Sequence, residues 1–308
     1  MAKPAPESYL NVDRPTLVTQ FNKAPFGFTH GLSKLDLFRL PVLERLAEAY
    51  VEHPGDYFVA VGAAQPGARF YAAPHGMFGP REALRRIKHG RYRLLLKRPE
   101  RFDPRFRALL NSILAEVRDR LPDPVRRQDL VRAESGIFVT SAATLTPFHF
   151  DPEVAFFSQI RGHKNYHVYD PRSVEEVELE RFYVGGVVCI GEVELAARTP
   201  GLEYVFALGP GDGFHQPQNA PHWVQTTDEL SISYTVVFET RLARKLGMAR
   251  AFNHYLRRCG VVPAAPGARP GLDGLKALAM ETALPVRQYL KKMLYLRSKR
   301  SEVAAKAV

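Results

Sequence analysis

A series of short strand-like segments between residues 136 and 240 constrains the fold of this chain more than any other feature. The segments are rich in Val, Phe, Tyr and Thr, which favour strands, and turn signals such as Pro210-Gly211-Asp212 separate them. The clearest are GIFVTSAATL, TPFHFD, EVAFFSQI, KNYHVYD, EYVFALG, GFHQP, HWVQT and ELSISYTVVFET. Many short strands within roughly a hundred residues predict a small β-sandwich or jelly roll. The expected fold is therefore mainly β, with flanking helices.

The regions on either side of these strands have a different texture. The pattern before them predicts irregular structure at 1–34, helices at 41–53, 80–90 and 103–121, and strands at 56–62 and 91–98. The pattern after them predicts a helix at 241–258, a linker at 264–271 and one or two helices at 273–300, broken near Pro285. We therefore expect three regions: a mixed α/β region at 1–122 that packs on the core, a jelly-roll core at 123–240, and a basic helical region at 241–308.

The positive charge of the chain is concentrated in the last of these regions. Residues 241–308 hold 15 of the 43 Lys and Arg residues but only 3 of the 32 Asp and Glu residues, so the rest of the chain is nearly neutral. Two interpretations stay open. The excess is either a solvated helical surface or a contact for an acidic partner such as RNA, anionic lipid or an acidic protein.

Composition excludes several other classes of protein. The sequence starts without an apolar run that would indicate a secretory signal, and no stretch approaches the ~20 apolar residues of a membrane span. Only two cysteines occur, Cys189 and Cys259, which argues against a disulfide framework and against a cysteine-based zinc site. We expect a cytoplasmic protein.

The segment TPFHFD places His149 and Asp151 two residues apart in a predicted strand. Side chains at i and i+2 project from the same face, which in a jelly roll can be the interior. Two polar groups there need each other or a ligand. A third ligand would come from a distant strand, with His222 as the candidate and His215 as its competitor. Two histidines and one carboxylate with open positions form the facial triad of non-haem Fe(II) oxygenases.

Simpler interpretations of these residues stay open at this point. His149 and Asp151 would also suit a hydrogen-bonded pair in a core, and His222 a loop histidine against Trp223. We expect His163 and His167 to be satisfied or solvated rather than ligands.

The surrounding motifs extend the pattern. The set comprises Thr146, His149 and Asp151, then Phe156-Phe157, Gly162-His163-Lys164, Pro210-Gly211-Asp212, Pro217 and His222. In these motifs the chain resembles the JmjC/cupin-like Fe(II)- and 2-oxoglutarate-dependent oxygenases, and most of all the asparaginyl hydroxylase that modifies hypoxia-inducible factor. The resemblance covers roughly 136–240 and implies a double-stranded β-helix core.

The resemblance implies a role for each matched residue. His149, Asp151 and His222 would bind Fe(II) and serve as the catalytic centre. Lys164 and Thr146, helped by Tyr92, would hold the far carboxylate of 2-oxoglutarate, with O2 as the other cosubstrate. The carboxylate of Asp151 favours hydroxylation over halogenation. Against these roles, Lys164 would also suit a strand-end surface lysine and Thr146 a simple strand former.

Two positions depart from the family pattern. Ala155 and Val237 stand where the family hydroxylase has asparagines near the cosubstrate. The expected function is a 2-oxoglutarate-dependent hydroxylase acting on a protein or peptide side chain or on a small metabolite; an N-demethylation would begin with the same step. The alternatives are a cupin-shaped binding or regulatory protein with a vestigial or structural metal, and a metal-dependent cupin that uses no keto acid. The resemblance also implies a homodimer through the C-terminal helices.

Overall fold

A computed structural model describes residues 8–62, 78–121, 130–184 and 201–284 of the chain. The described residues fall into two compact units. Unit 1 contains those up to residue 174 together with 201–240, and unit 2 contains 175–184 and 241–284. The three-region division expected from the sequence, with boundaries at 122 and 240, stays a prediction.

Unit 1 contains four α-helices, several 3-10 turns and eleven strands within the part of the chain that the structure describes. The helices are α1 (Arg14–Gln20), α2 (Leu40–Glu48), α3 (Pro80–Arg86) and α4 (Pro104–Arg120). The strands are β1 (Phe26–Thr29), β2 (Tyr57–Val61), β3 (Tyr92–Lys97), β4 (Leu130–Thr140), β5 (Leu145–His149), β6 (Val154–Arg161), β7 (Lys164–Tyr169), β8 (Glu203–Leu208), β9 (Asp212–Gln216), β10 (His222–Thr226) and β11 (Ser231–Thr240).

These strands form two antiparallel sheets. The larger sheet has seven strands in the order β1-β9-β6-β11-β4-β3-β2, and the smaller has four in the order β5-β10-β7-β8. Successive strands such as β5, β6 and β7 alternate between the sheets, as in a jelly roll. The sequence therefore predicted the fold class correctly: a mainly β, double-sheet jelly roll with flanking helices.

Strand alternation gives the larger sheet two distinct buried faces. One face packs with the helices of unit 1 in a large apolar core, to which β11 contributes Ile232, Tyr234, Val236 and Phe238. The other face looks toward the smaller sheet, and a second apolar cluster fills part of the space between them. Its members are Phe157, Tyr166, Val168, Leu208, Phe214, Ala220 and Val224. In either sheet, we call the side that faces this cluster the inner face.

Most local predictions for unit 1 were right, but the one for residues 1–34 was wrong. The helix expected at 103–121 is α4, and the carboxylate of Asp103 accepts the Arg105 N–H at its start. The segment expected to be irregular contains both α1 and β1. Strand β1 exists because β9 pairs with it, with Phe26 opposite His215. A four-residue strand that depends on a distant partner leaves little signal in its own sequence.

Unit 2 is helical in its described residues, with α5 (Glu176–Tyr183), α6 (Arg241–Arg258) and a further helical stretch at 270–284. Helix α6 has the bounds expected from the sequence, whereas no helix was predicted where α5 lies. Arg257 Nε donates to Glu180 Oε2 at 2.7 Å and ties α6 to α5. The expected linker at 264–271 is shorter than predicted because helical structure starts at residue 270. The break at Pro285 and Cys189 lie outside the described residues.

Within the described ranges, no helix combines the length and the apolar character that a bilayer crossing needs.

Gly213 allows two strands to approach closely, which generates a stability prediction. A Cβ at this position would collide with the Phe28 ring and lie 2.6 Å from the Phe157 carbonyl oxygen. We expect Gly213→Ala to lower the free energy of unfolding by about 1–3 kcal/mol, as overpacking does in other cores. Urea denaturation measures the change. The control is Gly55→Ala, where an added Cβ meets nothing within 4 Å; equal stability of the two variants would contradict the packing argument.

Candidate metal centre

Strand pairing brings the three predicted metal ligands together. His149 ends β5 and His222 begins β10, and the two are direct partners across the antiparallel pair. Directly opposed residues project from the same face, and Asp151 follows two residues after His149. Each side chain offers one ligand atom, and these atoms all lie within 4.8 Å of one another. No other such group of His, Cys, Asp and Glu residues occurs in the described part of the chain.

Both histidines are held in the tautomer that a metal requires. His149 Nδ1 donates to the Pro147 carbonyl at 2.7 Å, and His222 Nδ1 donates to the Ala220 carbonyl at 3.1 Å. A carbonyl only accepts hydrogen bonds, so Nδ1 carries the proton and Nε2 carries the lone pair of the neutral ring. Burial lowers the pKa of both rings, that of His149 well below 6.5, although the Asp151 carboxylate opposes the shift at His222.

Asp151 completes the donor set. Burial raises the pKa of its carboxyl, while the charge of His222, the amide of Gln216 and the charge of Arg132 lower it. Oδ2 of Asp151 lies 3.7 Å from Nε2 of His222, which is too long for a hydrogen bond. The side chain is 32% exposed, so the site opens toward solvent on this side. Two neutral imidazoles and one carboxylate fit a divalent transition metal that keeps open coordination positions.

Thr146 reaches the inner face only because of a β-bulge. It lies three residues before His149, and strict alternation would place it on the opposite face. The pairing register shifts between His222 and Val224, so Thr146 is opposite Val224 while His149 is opposite His222. His222 and Val224 are two apart and share a face. Thr146 therefore projects beside the three ligands.

Lys164 is buried on the same face and carries no counter-ion among the described residues. It is 5% exposed and is the partner of Thr226, four residues along β10 from His222. Its Nζ lies 3.5 Å from Thr140 Oγ1 and 5.6–5.8 Å from the ring centres of Phe157 and Phe138. Burial lowers its pKa to about 7. A buried ammonium without an anion is costly, so this position favours an anionic ligand.

The structure does not bring Tyr92 to this group. Tyr92 packs against the large helix-side core, with its ring 6.5 Å from that of Phe78. The next residue on β3, Arg93, projects to the inner face instead. It is buried and lies opposite Thr140, the residue that Lys164 contacts, and burial lowers its pKa to about 10. Successive residues of a strand face opposite sides, so Leu94 in the helix-side core would have placed Arg93 on the inner face.

The other histidines considered from the sequence lie elsewhere. His215 faces the helix-side core, where its Nε2 accepts the Asn22 N–H at 2.9 Å and its ring packs against Phe26 and Phe156. It is therefore not the distal ligand. His163 and His167 hydrogen bond to Glu229 and Glu203, as expected for residues outside the metal site.

Trp223, which follows His222, stacks on His167 at 3.7 Å and so lies on the opposite face of the small sheet. This arrangement excludes the interpretation of His222 as a loop histidine packed against Trp223.

The two positions that depart from the family pattern are neighbours in the structure. Ala155 and Val237 are direct partners on β6 and β11, and Gln216 of β9 is the partner of Ala155 on its other side. Gln216 was missed from the sequence. Its Oε1 accepts a hydrogen bond from the Tyr166 hydroxyl at 3.0 Å, and its amide lowers the pKa of Asp151.

Comparison with known proteins identifies the fold. No protein-family model matches the sequence, and no curated protein matches it significantly. Among solved structures, an X-ray structure of Escherichia coli YcfD has 18% identity and a TM-score of 0.51, and the match covers 91% of this chain and 69% of that one. A second, described as the ribosomal oxygenase YcfD, has 17% identity and a TM-score of 0.50, with 91% and 68% covered. The likeness confirms the jelly-roll fold.

A further structure of YcfD, in complex with cobalt and 2-oxoglutarate, gives a TM-score of 0.49 at 18% identity and covers 90% of this chain and 68% of that one.

The buried Lys164 predicts a pH-dependent cost in stability. Its pKa is about 7 in the folded protein and about 10.4 in the unfolded chain, so between these values only the unfolded chain binds the proton. The cost is complete below pH 7 and disappears as the pH rises toward 10.4. We expect Lys164→Met to raise the melting temperature at pH 6–7, with a gain that shrinks toward pH 10. The exposed Lys88→Met is the control, and an equal effect of both variants would contradict the argument.

Proposed function

We propose that this chain is an Fe(II)- and 2-oxoglutarate-dependent oxygenase that hydroxylates a protein or peptide side chain. One observation carries the proposal. Two neutral histidines and one carboxylate lie on the same inner face as Lys164, which is buried without a counter-ion among the described residues, and Thr146 lies between them. A metal ion and a dicarboxylate together would satisfy every one of these groups.

Residues paired across β5, β10 and β7 form rows on the inner face of the small sheet, and the spacing of these rows suits the length of 2-oxoglutarate. His149 and His222 form the metal row, Thr146 and Val224 the next row, and Lys164 lies one row beyond. The outer rows are about 13 Å apart at four residues of strand, and the lysine side chain spans part of this distance. The remaining gap suits a short dicarboxylate that binds the metal at one end and Lys164 at the other. Arg93 adds a second buried cation near the far carboxylate.

Each residue has a distinct task in this proposal. His149, His222 and Asp151 hold Fe(II) and leave coordination positions open for the keto acid and O2. The bound iron supplies oxidation of a substrate C–H bond, coupled to decarboxylation of 2-oxoglutarate. Lys164, Arg93 and Thr146 neutralise and orient the far carboxylate. The rings of Phe157 and Tyr166 exclude water from the space between the sheets.

The substrate class rests on similarity rather than on geometry. YcfD is described as a ribosomal oxygenase, and its fold likeness supports a protein substrate for this chain. The motif resemblance to the asparaginyl hydroxylase supports the same class. Asp151 marks the open side of the centre, where a side chain from another protein would enter. A small metabolite, or an N-methyl group lost after the same hydroxylation, are the competing substrates.

The proposals for partners and cellular location name only general classes. A homodimer through the C-terminal helices is supported by three leucines exposed along one stripe of residues 270–284, namely Leu272, Leu275 and Leu278. The basic region at 241–308 remains a candidate contact for an acidic partner, and the cytoplasmic location remains a prediction from the sequence.

The buried Lys164 weighs against the two alternative functions. A vestigial metal site in a binding protein gains nothing from a buried cation, because burying an unpaired charge costs stability. A metal-dependent cupin without a keto acid has no use for an anion-binding position on the metal-facing side. Both alternatives nevertheless make distinct experimental predictions.

The first experiment adds Fe(II) and then 2-oxoglutarate to the apo-protein without oxygen. We expect the visible charge-transfer band that arises when a keto acid chelates iron, and we expect His149→Ala to abolish it. Iron binding without the band would favour the cupin that uses no keto acid. Absence of iron binding would overturn the proposal and favour the binding protein. Peptides and cell extract exposed to the oxygenated enzyme would then identify the substrate by a mass increase of one oxygen atom.

Lys164 also predicts how pH affects binding of the keto acid. Because the pKa of Lys164 is about 7 in the ligand-free protein, its amine is neutral above pH 7 and must take up a proton to pair with a carboxylate. We expect the dissociation constant of 2-oxoglutarate, measured with Co(II) in place of iron, to rise by up to about tenfold per pH unit above 7.

Comparison of two lysine variants separates the effect of Lys164 from other effects of pH on ligand binding. Lys164→Met should bind 2-oxoglutarate weakly at every pH while retaining the metal, and Lys88→Met should behave like the unmodified protein. An affinity in the unmodified protein that does not change between pH 6.5 and 8.5 would show that Lys164 does not hold the ligand.

A further inference from the structure

Gln216 is a buried amide next to the metal centre that no motif pointed to. It is the last residue of β9 and lies on the inner face, 2% exposed, in a row with Ala155 and Val237. Both neighbours in this row are apolar and offer no hydrogen bond from their side chains. The amide must therefore find its partners across the space between the sheets.

One end of the amide has such a partner. Oε1 of Gln216 accepts from the hydroxyl of Tyr166, a residue of β7 in the small sheet, at 3.0 Å. The Tyr166 ring stacks on that of His222, with the ring centres 5.2 Å apart and the planes 23° apart. Gln216, Tyr166 and His222 thus form a chain that joins the large sheet to a metal ligand.

The other end of the amide has no such partner. Nε2 of Gln216 is buried and makes no hydrogen bond of normal geometry within the described residues. Buried donors without acceptors are rare in proteins and call for an explanation. The turn that follows Gln216 contacts Asp151, because the Asn219 N–H donates to the Asp151 carbonyl at 2.9 Å, and the Gln216 amide lowers the pKa of the Asp151 carboxyl. Asp151 is thus the acceptor within reach.

The orientation of the amide follows from the chemistry of Asp151. An ionised carboxylate only accepts hydrogen bonds, so the amide nitrogen faces it and the amide oxygen faces Tyr166. A carboxylate that binds a metal through one oxygen leaves charge on its second oxygen. If both oxygens bound the metal, they would occupy a position that the keto acid or O2 needs.

We propose that Gln216 is a positioning residue: its Nε2 donates to the second oxygen of Asp151 and holds this carboxylate as a single-oxygen ligand. The inference rests on the metal centre of the proposed function. Tyr166 fixes the amide for this task through its hydroxyl. Removal of a polar group that hydrogen bonds to a metal ligand typically lowers metal affinity 10–100-fold, roughly the scale we expect here.

The test titrates Co(II) alone into Gln216→Met, which keeps the length of the side chain but has no amide. We expect Co(II) binding to weaken at least about tenfold and the visible cobalt band to lose intensity, as a carboxylate bound through both oxygens raises the coordination number. Thermal melting of the apo-protein checks that Gln216→Met still folds. Gln225→Met, on the exposed face of β10, is the matched control.

The outcomes separate this inference from the proposed function. If the unmodified protein binds no Co(II), the metal centre and the role of Gln216 both fail. If the unmodified protein binds Co(II) and Gln216→Met binds it within twofold with the same band, only the role of Gln216 fails. Should Gln216→Met not fold, Tyr166→Phe decides: loss of the hydroxyl should weaken Co(II) binding in the same direction, and unchanged binding would overturn the inference.

Discussion

The candidate site depends on one interaction, the antiparallel pairing of β5 with β10. This pairing sets His149 opposite His222, and a bulge in the same pair turns Thr146 to their side. Each histidine also donates to the carbonyl of the residue two positions before it, Pro147 or Ala220. Local backbone geometry therefore fixes the tautomer, while strand pairing fixes the separation. A centre built in this way is preorganised before any ligand binds, so little ordering remains to oppose binding.

Charge is arranged asymmetrically inside the jelly roll. Asp151 is the carboxylate among the three ligands and stands at the open side, whereas Lys164 and Arg93 are buried beyond Thr146. Among the described residues, Lys164 pairs with no carboxylate. The cost of burying its ammonium is offset when an anion enters, so the space between the sheets favours an anionic ligand. Neutral or cationic molecules of the same size gain no such compensation.

Much of this could be predicted from the sequence, and the failures share a physical origin. Composition predicted the jelly roll, and spacing together with the family motifs pointed to His149, Asp151, His222 and Lys164, because those signals are local or carried by motifs. The family resemblance pointed to Tyr92, whereas alternation with the buried Leu94 of β3 places Arg93 on the inner face. Strand β1 and the position of Gln216 depend on pairing with distant strands, and no local pattern encodes that.

The inner face also shows why a missing motif residue need not mean a missing function. Ala155 and Val237 supply no polar group, yet Gln216 stands in the same row as the direct partner of Ala155. Opposed side chains in antiparallel strands start about 5 Å apart, so a long side chain on one strand reaches the space vacated on its neighbour. A hydrogen bond to Asp151 requires a donor at a suitable position in space, and residues that are far apart in the sequence can supply it. For this chain, the row that contains Gln216 is therefore a better guide to the environment of Asp151 than the motif positions are.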